Sequence, residues 1–289
     1  LEDSAILDGM QHLRSAEEYR HLAEAAVCRS QADWLVGMNA TRAYTTKYFK
    51  KLTVGRVQTP TLAMLVERAG QISNFQKEKY FNVELDCDGI PAVKSKIFDP
   101  DEAEQLRSRC QGSEAIVTAV KEAEKKVKAP KLYDLTTLQR EANRIYGMTA
   151  KQTLDTAQSL YEKKLITYPR TDSQYLTEDM EQTARNVVRQ IYEKYQLTGP
   201  FDQPEQPDVK KVMNNSKVTD HHAIIPTMEL TSCHMDELKS WEEKILFLIA
   251  VHTVMAMSKD HIYQETEIEV ECQGEVFKTK GKTVLQDGW

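Results

Sequence analysis

Phe81-Asn82-Val83-Glu84-Leu85-Asp86-Cys87-Asp88-Gly89 alternates apolar and polar side chains residue by residue. That period belongs to a strand with one buried face, because successive side chains on extended backbone point to opposite sides. Asp88-Gly89 at its end has the chemistry of a tight hairpin turn. The same signature returns near the other end of the chain, where Ile268, Val270 and Cys272 alternate with Glu267, Glu269 and Glu271. The stretch between them reads as helical. An α+β protein with a discontinuous β domain follows: the chain leaves that domain, builds a helical one and returns.

Working outward, Thr136 with Gln139 opens a helix with Leu138, Ala142, Ile145 and Tyr146 on one face, and Gly147 ends it. Thr149 with Gln152 opens a second, with Leu154, Ala157, Leu160 and Tyr161 on its face. Each pair has the spacing of a capping box, and the two helices with their short turn make a helix-turn-helix outline. A loop with three prolines, Gly199 to Asp208, precedes a core helix at about 236–257. In the first third, Ser15 with Glu18 caps a helix carrying Tyr19, Leu22, Ala26 and Val27, then Trp34, Leu35 and Met38, at helical spacing. A further helix starts at Thr59-Pro60, with Thr59 as N-cap, and stops at Gly70.

The chain has 289 residues, 40% apolar and 28% charged, which suits a soluble globular protein with a sizeable core. The longest apolar run, Ile245 to Met257, is interrupted by His252 and too short to span a bilayer, so no membrane partner is expected. No signal segment opens the chain, and the five cysteines include no Cys-x-x-Cys. This excludes a disulfide framework and a cysteine zinc ribbon, and points to a reducing, cytoplasmic location. The net charge of −6 hides local basic stripes: Cys28 to Arg56 holds six basic residues against one acid, and Lys121 to Arg170 eleven against six. Such stripes suit phosphate binding; the alternative is a set of solvated helix faces.

Straight after the second helix of the pair stands Ile166-Thr167-Tyr168-Pro169-Arg170-Thr171-Asp172-Ser173. Pro169 biases Tyr168 towards extended backbone, and Arg170, two residues on, then faces the same side. A phenol beside a guanidinium supplies a nucleophile for a phosphodiester and a fixed cation for its oxygens. Read locally, the alternative is a core tyrosine followed by a surface arginine.

The wider string resembles the active-site motif of type IA DNA topoisomerases, in the topoisomerase III branch. Three other stretches match that family in order. Asp33-Trp34-Leu35-Val36-Gly37-Met38-Asn39 with Thr41-Arg42 is similar to its opening helix, and Val54-Gly55-Arg56-Val57-Gln58-Thr59-Pro60-Thr61-Leu62 to its DNA-contacting Gly-Arg-Val-Gln segment. His221-His222-Ala223-Ile224-Ile225-Pro226-Thr227 resembles its histidine motif. The resemblance implies a helical base segment (1–65), a β arch in two parts (66–131 and 256–289) and a helical, winged-helix-like domain carrying the tyrosine (132–255).

It also implies that Tyr168 attacks one strand of single-stranded DNA, holds the 5′-phosphate while another strand passes, and reseals the break without ATP. Arg170 would steady the scissile phosphate, His221 would be the active-site histidine, and His222 the second candidate. Arg29, Asp33, Thr53, Arg56, Gln58 and Thr59 would contact DNA, and a RecQ-type helicase is a candidate partner. Trp34 and Met38 stand where relatives with a base preference carry further basic and aromatic residues. The family opens with a Toprim domain that supplies acidic residues and binds Mg2+. Nothing here resembles it, and Asp86-Cys87-Asp88 reads as a surface turn. The expectation is a central fragment without metal ligands that binds single-stranded DNA but does not cleave it. A non-catalytic single-strand-binding or helix-turn-helix module would explain the basic stripes but leaves Tyr168 and His221 without a role. A tyrosine recombinase would need dispersed arginines and a tyrosine near the C-terminus.

Overall fold

The computed structural model describes residues 7, 9–197, 207–218 and 220–289, so most of the expected proline-rich loop lies outside the described residues. The chain divides into two compact units, one up to Lys79 and one from Tyr80 onward.

The first unit holds α1 (Arg20–Tyr48) and α2 (Gln58–Ser73), neither with a buried residue. The apolar stripe from Leu22 through Trp34, Leu35 and Met38 is thus exposed. Three expected boundaries move. Ser15 and Glu18 bond to each other (Ser15 N–H to Glu18 Oε1, 3.3 Å) in the turn that precedes α1. Thr59 lies inside the first turn of α2, and its hydroxyl accepts from Gly55 N at 3.1 Å. Gly70 does not stop α2, because its φ is not left-handed; the helix runs three residues further, until Asn74 N–H closes on Gly70 O.

The second unit joins one sheet to one helical group. Strands β1 (Phe81–Cys87), β2 (Ile90–Ile97), β3 (Ile116–Val127), β4 (His261–Cys272) and β5 (Glu275–Gln286) form an antiparallel sheet in the order β1-β2-β5-β4-β3. Strands from both ends of the unit therefore share one sheet. The β1–β2 turn puts Asp88 at φ 53° and Gly89 at φ 88°, the left-handed pair that matches strand twist. Asp86 Oδ1 accepts from Gly89 N at 2.7 Å, which gives that aspartate a turn-forming task. Helix α3 (Pro100–Cys110), capped by Asp99, covers the sheet with Ala103, Leu106 and Cys110 against Val83, Ala92, Ile97, Val270 and Phe277. Across β3, β4 and β5, lysine–glutamate pairs such as Lys121–Glu269 (3.2 Å) and Lys280–Glu267 (2.9 Å) join exposed lysines to half-buried glutamates on the neighbouring strand.

Between the two sets of strands lie α4 (Leu135–Tyr146), α5 (Ala150–Glu162), α6 (Glu181–Tyr195) and α7 (Ser240–Ala256). Thr136 lies inside helix α4 rather than capping it, because Asp134, extended and one residue upstream of the helix, accepts from Thr137 N at 2.6 Å and forms the capping box with Thr137. Gly147 at φ 68° ends it, donating to Asn143 O. Thr149 and Gln152 exchange bonds at the start of α5 (2.9 and 3.2 Å) as the sequence spacing predicts. Ile145 is exposed rather than part of the inner face. Leu138, Ala142, Leu160, Val187, Ile191, Ile245 and Ile249 share one core with Leu165, Ile166 and Ala223 to Ile225. That core anchors the segments on either side of Tyr168 and His221. No described helix is long and apolar enough to cross a membrane.

Candidate active site

Helix α5 ends in a turn that points the chain towards the site. Leu165 N–H reaches back to Leu160 O (2.9 Å) and Lys164 N–H to Tyr161 O (2.8 Å), the bonding of a Schellman stop. Lys164 takes the left-handed φ of 61° that glycine takes more cheaply, and the Thr227 hydroxyl holds its carbonyl.

Beyond that turn the chain bridges antiparallel to the histidine segment and bends at Thr167 and again at Pro169 and Arg170. Ile166 bridges Pro226. Thr167 N donates to Ile225 O (2.9 Å), and the Thr167 hydroxyl accepts from Ile225 N (3.0 Å) while donating to Ala223 O (3.0 Å). At the far end of the same register, the Thr171 hydroxyl donates to His221 O at 2.9 Å. Buried Ile166, Ile224 and Ile225 anchor both segments in the core, so the register is set by packing as well as by hydrogen bonds.

This pairing brings together two rings far apart in sequence. Tyr168, half-buried, lies with its ring centroid 4.4 Å from that of exposed His221, the planes tilted by 45°. On another side, Tyr161 from α5 meets Tyr168 edge-on at 5.3 Å and 76°. Two rings thus restrict the phenol's rotation, a preorganisation that favours a nucleophile over a freely moving side chain. His222 is half-buried, and its Nδ1 meets Ala223 O at 2.8 Å. Arg170 is exposed, and among the described residues it makes no hydrogen bond or ion pair, leaving its guanidinium open to an anion. Tyr161, Thr167 and Thr171 were not among the expected site residues. Tyr161 was legible as an aromatic on α5, but only the fold shows that it touches Tyr168.

The expected DNA-contacting residues lie in the first unit. Asp33, Gly37, Thr41 and Thr45 fall four residues apart on α1, forming a single ridge. The segment 52–56 runs antiparallel along it. Thr45 Oγ1 accepts from Leu52 N (3.2 Å), Thr41 Oγ1 from Val54 N (2.9 Å), and Arg56 Nε donates to Asp33 Oδ1 (2.5 Å). At Gly37 a β-carbon would stand 3.5 Å from Val54 O, so the segment runs in van der Waals reach of the ridge there. The hydrogen bond from Arg56, with the positive charges of Arg56 and Arg29, holds the Asp33 carboxyl below its ordinary range. Arg29, Thr53, Arg56, Gln58 and Thr59 are all exposed, although Arg56 Nε is already taken by Asp33.

Among the described residues, no three histidine, cysteine, aspartate or glutamate side chains converge on a point where a metal ion could sit. Among the described residues the donor set for the magnesium that the resemblance implies is not assembled.

The family described as DNA topoisomerase matches residues 17–289. DNA topoisomerase 3 of Bacillus subtilis is 41% identical over 99% of this chain and 41% of its own length. DNA topoisomerase 3 of Staphylococcus epidermidis is 39% identical over 96% of this chain and 39% of its own length. The chain thus spans about two fifths of the curated relatives that it matches. Full-length topoisomerase I from Thermotoga maritima superimposes with a TM-score of 0.67 at 26% identity, over 90% of this chain and 43% of that one. With the family pattern running from residue 17 to the last residue, the chain belongs to the type IA DNA topoisomerases, on their topoisomerase III branch.

Proposed function

We propose that this chain carries the nucleophile of an ATP-independent DNA topoisomerase that cuts one strand, passes another and reseals the first. The observation that carries the reading is Tyr168 held between Tyr161 and His221, with the open guanidinium of Arg170 two residues along. The Tyr168 hydroxyl attacks phosphorus, the bond to the 3′-oxygen breaks, and the phenol keeps the 5′-phosphate. The phenol's proton must leave and the 3′-oxygen must gain one. Resealing reverses each movement. Because the phosphotyrosine preserves the bond's energy, no ATP is consumed. Arg170 offsets charge on the phosphate oxygens but serves as no acid, since a guanidinium keeps its proton. His221 is placed to orient the phenol or to share its proton, and His222 is second to it.

The remaining expectations stand as parts of this proposal. Residues 1–65 act as a helical base, 66–131 with 256–289 as the arch, and 132–255 as the tyrosine domain. Arg29, Asp33, Thr53, Arg56, Gln58 and Thr59 line the path of single-stranded DNA. Magnesium and its acidic ligands come from a Toprim domain outside this chain, so the chain alone binds DNA without cutting it. A RecQ-type helicase is its partner, and the protein works in the cytoplasm.

The test replaces the matching stretch of the Bacillus subtilis relative with this chain and follows covalent protein–DNA adducts on denaturing gels. The hybrid should form an adduct at the 5′-phosphate, and Tyr168→Phe should abolish it with DNA affinity retained. Arg170→Ala should slow adduct formation about 10²-fold, the usual loss for one charge-stabilising donor. Adduct persisting in Tyr168→Phe would refute the assignment.

A further inference from the structure

Seven residues beyond Tyr168 stands a second half-buried tyrosine, Tyr175, flanked by lysines from two other segments. The Lys131 ammonium lies 5.4 Å from the centroid of its ring and the Lys217 ammonium 5.0 Å. The backbones of all three residues are tied down. Lys131 O meets His252 Nε2 at 2.7 Å, Lys217 O accepts from the Ser173 hydroxyl at 2.9 Å, and Tyr175 O accepts from Ala223 N at 2.9 Å. Lys131 and Lys217 themselves are exposed, and among the described residues neither ammonium has a carboxylate at ion-pairing distance. Burial pushes the Tyr175 phenol up, but hydrogen bonding and charge from Lys131 and Lys217 outweigh it and leave the phenol below its ordinary value.

Two cations beside one ring, with no acid between them, repel each other, and a neutral phenol offsets only part of that repulsion. A bound anion would remove it and would take charge-assisted hydrogen bonds from both ammonium groups. The anion can be placed further. Tyr175 and Lys217 are fastened to the segments that carry Tyr168, Arg170 and His221, through Ala223 N to Tyr175 O, Ser173 to Lys217, and Thr171 to His221. The cradle is open to solvent, which suits one phosphate of a passing polymer better than an enclosed small molecule.

We propose that Lys131, Tyr175 and Lys217 hold one backbone phosphate of the bound DNA strand, other than the phosphate that Tyr168 attacks. This rests on the reading that the chain binds single-stranded DNA.

The test measures binding of a labelled single-stranded oligonucleotide to the 289-residue chain as a function of salt, for the wild type and for the Lys131→Gln, Lys217→Gln double variant. The slope of log affinity against log salt should fall by about 0.7 for each lysine lost, and the double Lys→Arg variant should retain it. Oligonucleotides with a single neutral methylphosphonate linkage then locate the contact. At one linkage the wild type should lose about tenfold in affinity while the double Gln variant loses nothing further. Circular dichroism should be unchanged, since both lysines are exposed. An unaltered slope, or no linkage coupled to the lysines, overturns the cradle but leaves the Tyr168 mechanism, which is judged by adduct formation, untouched. Displacement of the oligonucleotide by micromolar inorganic phosphate in the wild type alone would overturn it in favour of a free-phosphate site. A wild-type chain that binds no oligonucleotide overturns the strand-binding reading and the cradle together.

Discussion

Glu242 shows how a single buried charge supports the site from behind. It is 3% exposed, yet it accepts from Ser159 Oγ (2.6 Å), Lys163 Nζ (2.7 Å) and Lys239 N (2.8 Å). It therefore joins α5, the start of α7 and the turn that aims the chain at Tyr168. Burial pushes its carboxyl up, but the bonds from Lys163, Ser159 and Lys239 outweigh this and bring it down to about 2 from an ordinary 4.5. A carboxyl lowered on folding stabilises the fold above its unfolded value, and the contribution disappears as pH falls through the folded one. Glu242→Gln should lower stability by about 2 kcal/mol at pH 7, the range for hydrogen bonds to a charged group. Measured by urea unfolding, the gap from wild type should narrow below pH 4.5 and close near pH 2. A gap of unchanged size at pH 2 would mean that shape, not charge, makes the contribution. Only the bond from Lys239 is local in sequence; Ser159 and Lys163 are about eighty residues away, so the sequence does not announce the link to α5.

At the scale of elements, α1 and the segment it carries form a device built from four-residue spacing. The hydroxyls of Thr41 and Thr45 satisfy backbone N–H groups that no helix or strand would pair, and this delivers Arg56 to Asp33. Thr41→Val keeps the shape but leaves Val54 N without its acceptor. It should destabilise the docked segment by about 1 kcal/mol and raise amide exchange at Leu52 and Val54 about fivefold. Unchanged exchange at both amides would show that the ridge does not hold the segment. The caps of α5, the stop at Gly147 and the strand alternation of β1 were legible because each is a rule about residues within four positions. Helices α3 and α6 were not among the expected elements, although Asp99-Pro100 begins α3 in the manner of a capped helix and Ala184, Val187, Val188 and Ile191 give α6 a regular inner face. The exposed stripe of α1 shows the opposite failure: apolar spacing states which residues share a face, and the fold decides whether that face is covered.

At the scale of the second unit, the two crossings between sheet and helical group meet at Asp260. Its carboxylate accepts from Ala129 N (3.0 Å), Lys211 Nζ (3.1 Å) and Lys126 Nζ (3.1 Å). The Ala129 bond, and then the two lysines against the opposing effect of burial, bring the carboxyl down to about 2 from 3.8. Asp260→Ala should cost about 2 kcal/mol at neutral pH and speed tryptic cleavage at Lys126 and Lys128, with the wild type losing the same support as pH falls from 3.8 towards 2. Cleavage at those lysines at the wild-type rate would show that the junction is held by packing alone.

What the sequence by itself determined is part of the local grammar and the chemistry on offer: the caps of α5, the stop at Gly147, the alternation of β1, and a Tyr-Pro-Arg string that carries a phenol and a guanidinium. Those features depend on backbone preferences and neighbouring side chains, so they can be read without knowing the fold. Only the tertiary structure decided that Ile166 pairs with Pro226, and hence that His221 rather than His222 lies against Tyr168. Only the structure placed β4 and β5 between β2 and β3, and brought Lys131 and Lys217 to Tyr175. The physical reason is the same in each case. A contact between distant residues depends on which register buries the most apolar surface and satisfies the most backbone groups. That competition is settled by the whole core together, not by any residue's near neighbours.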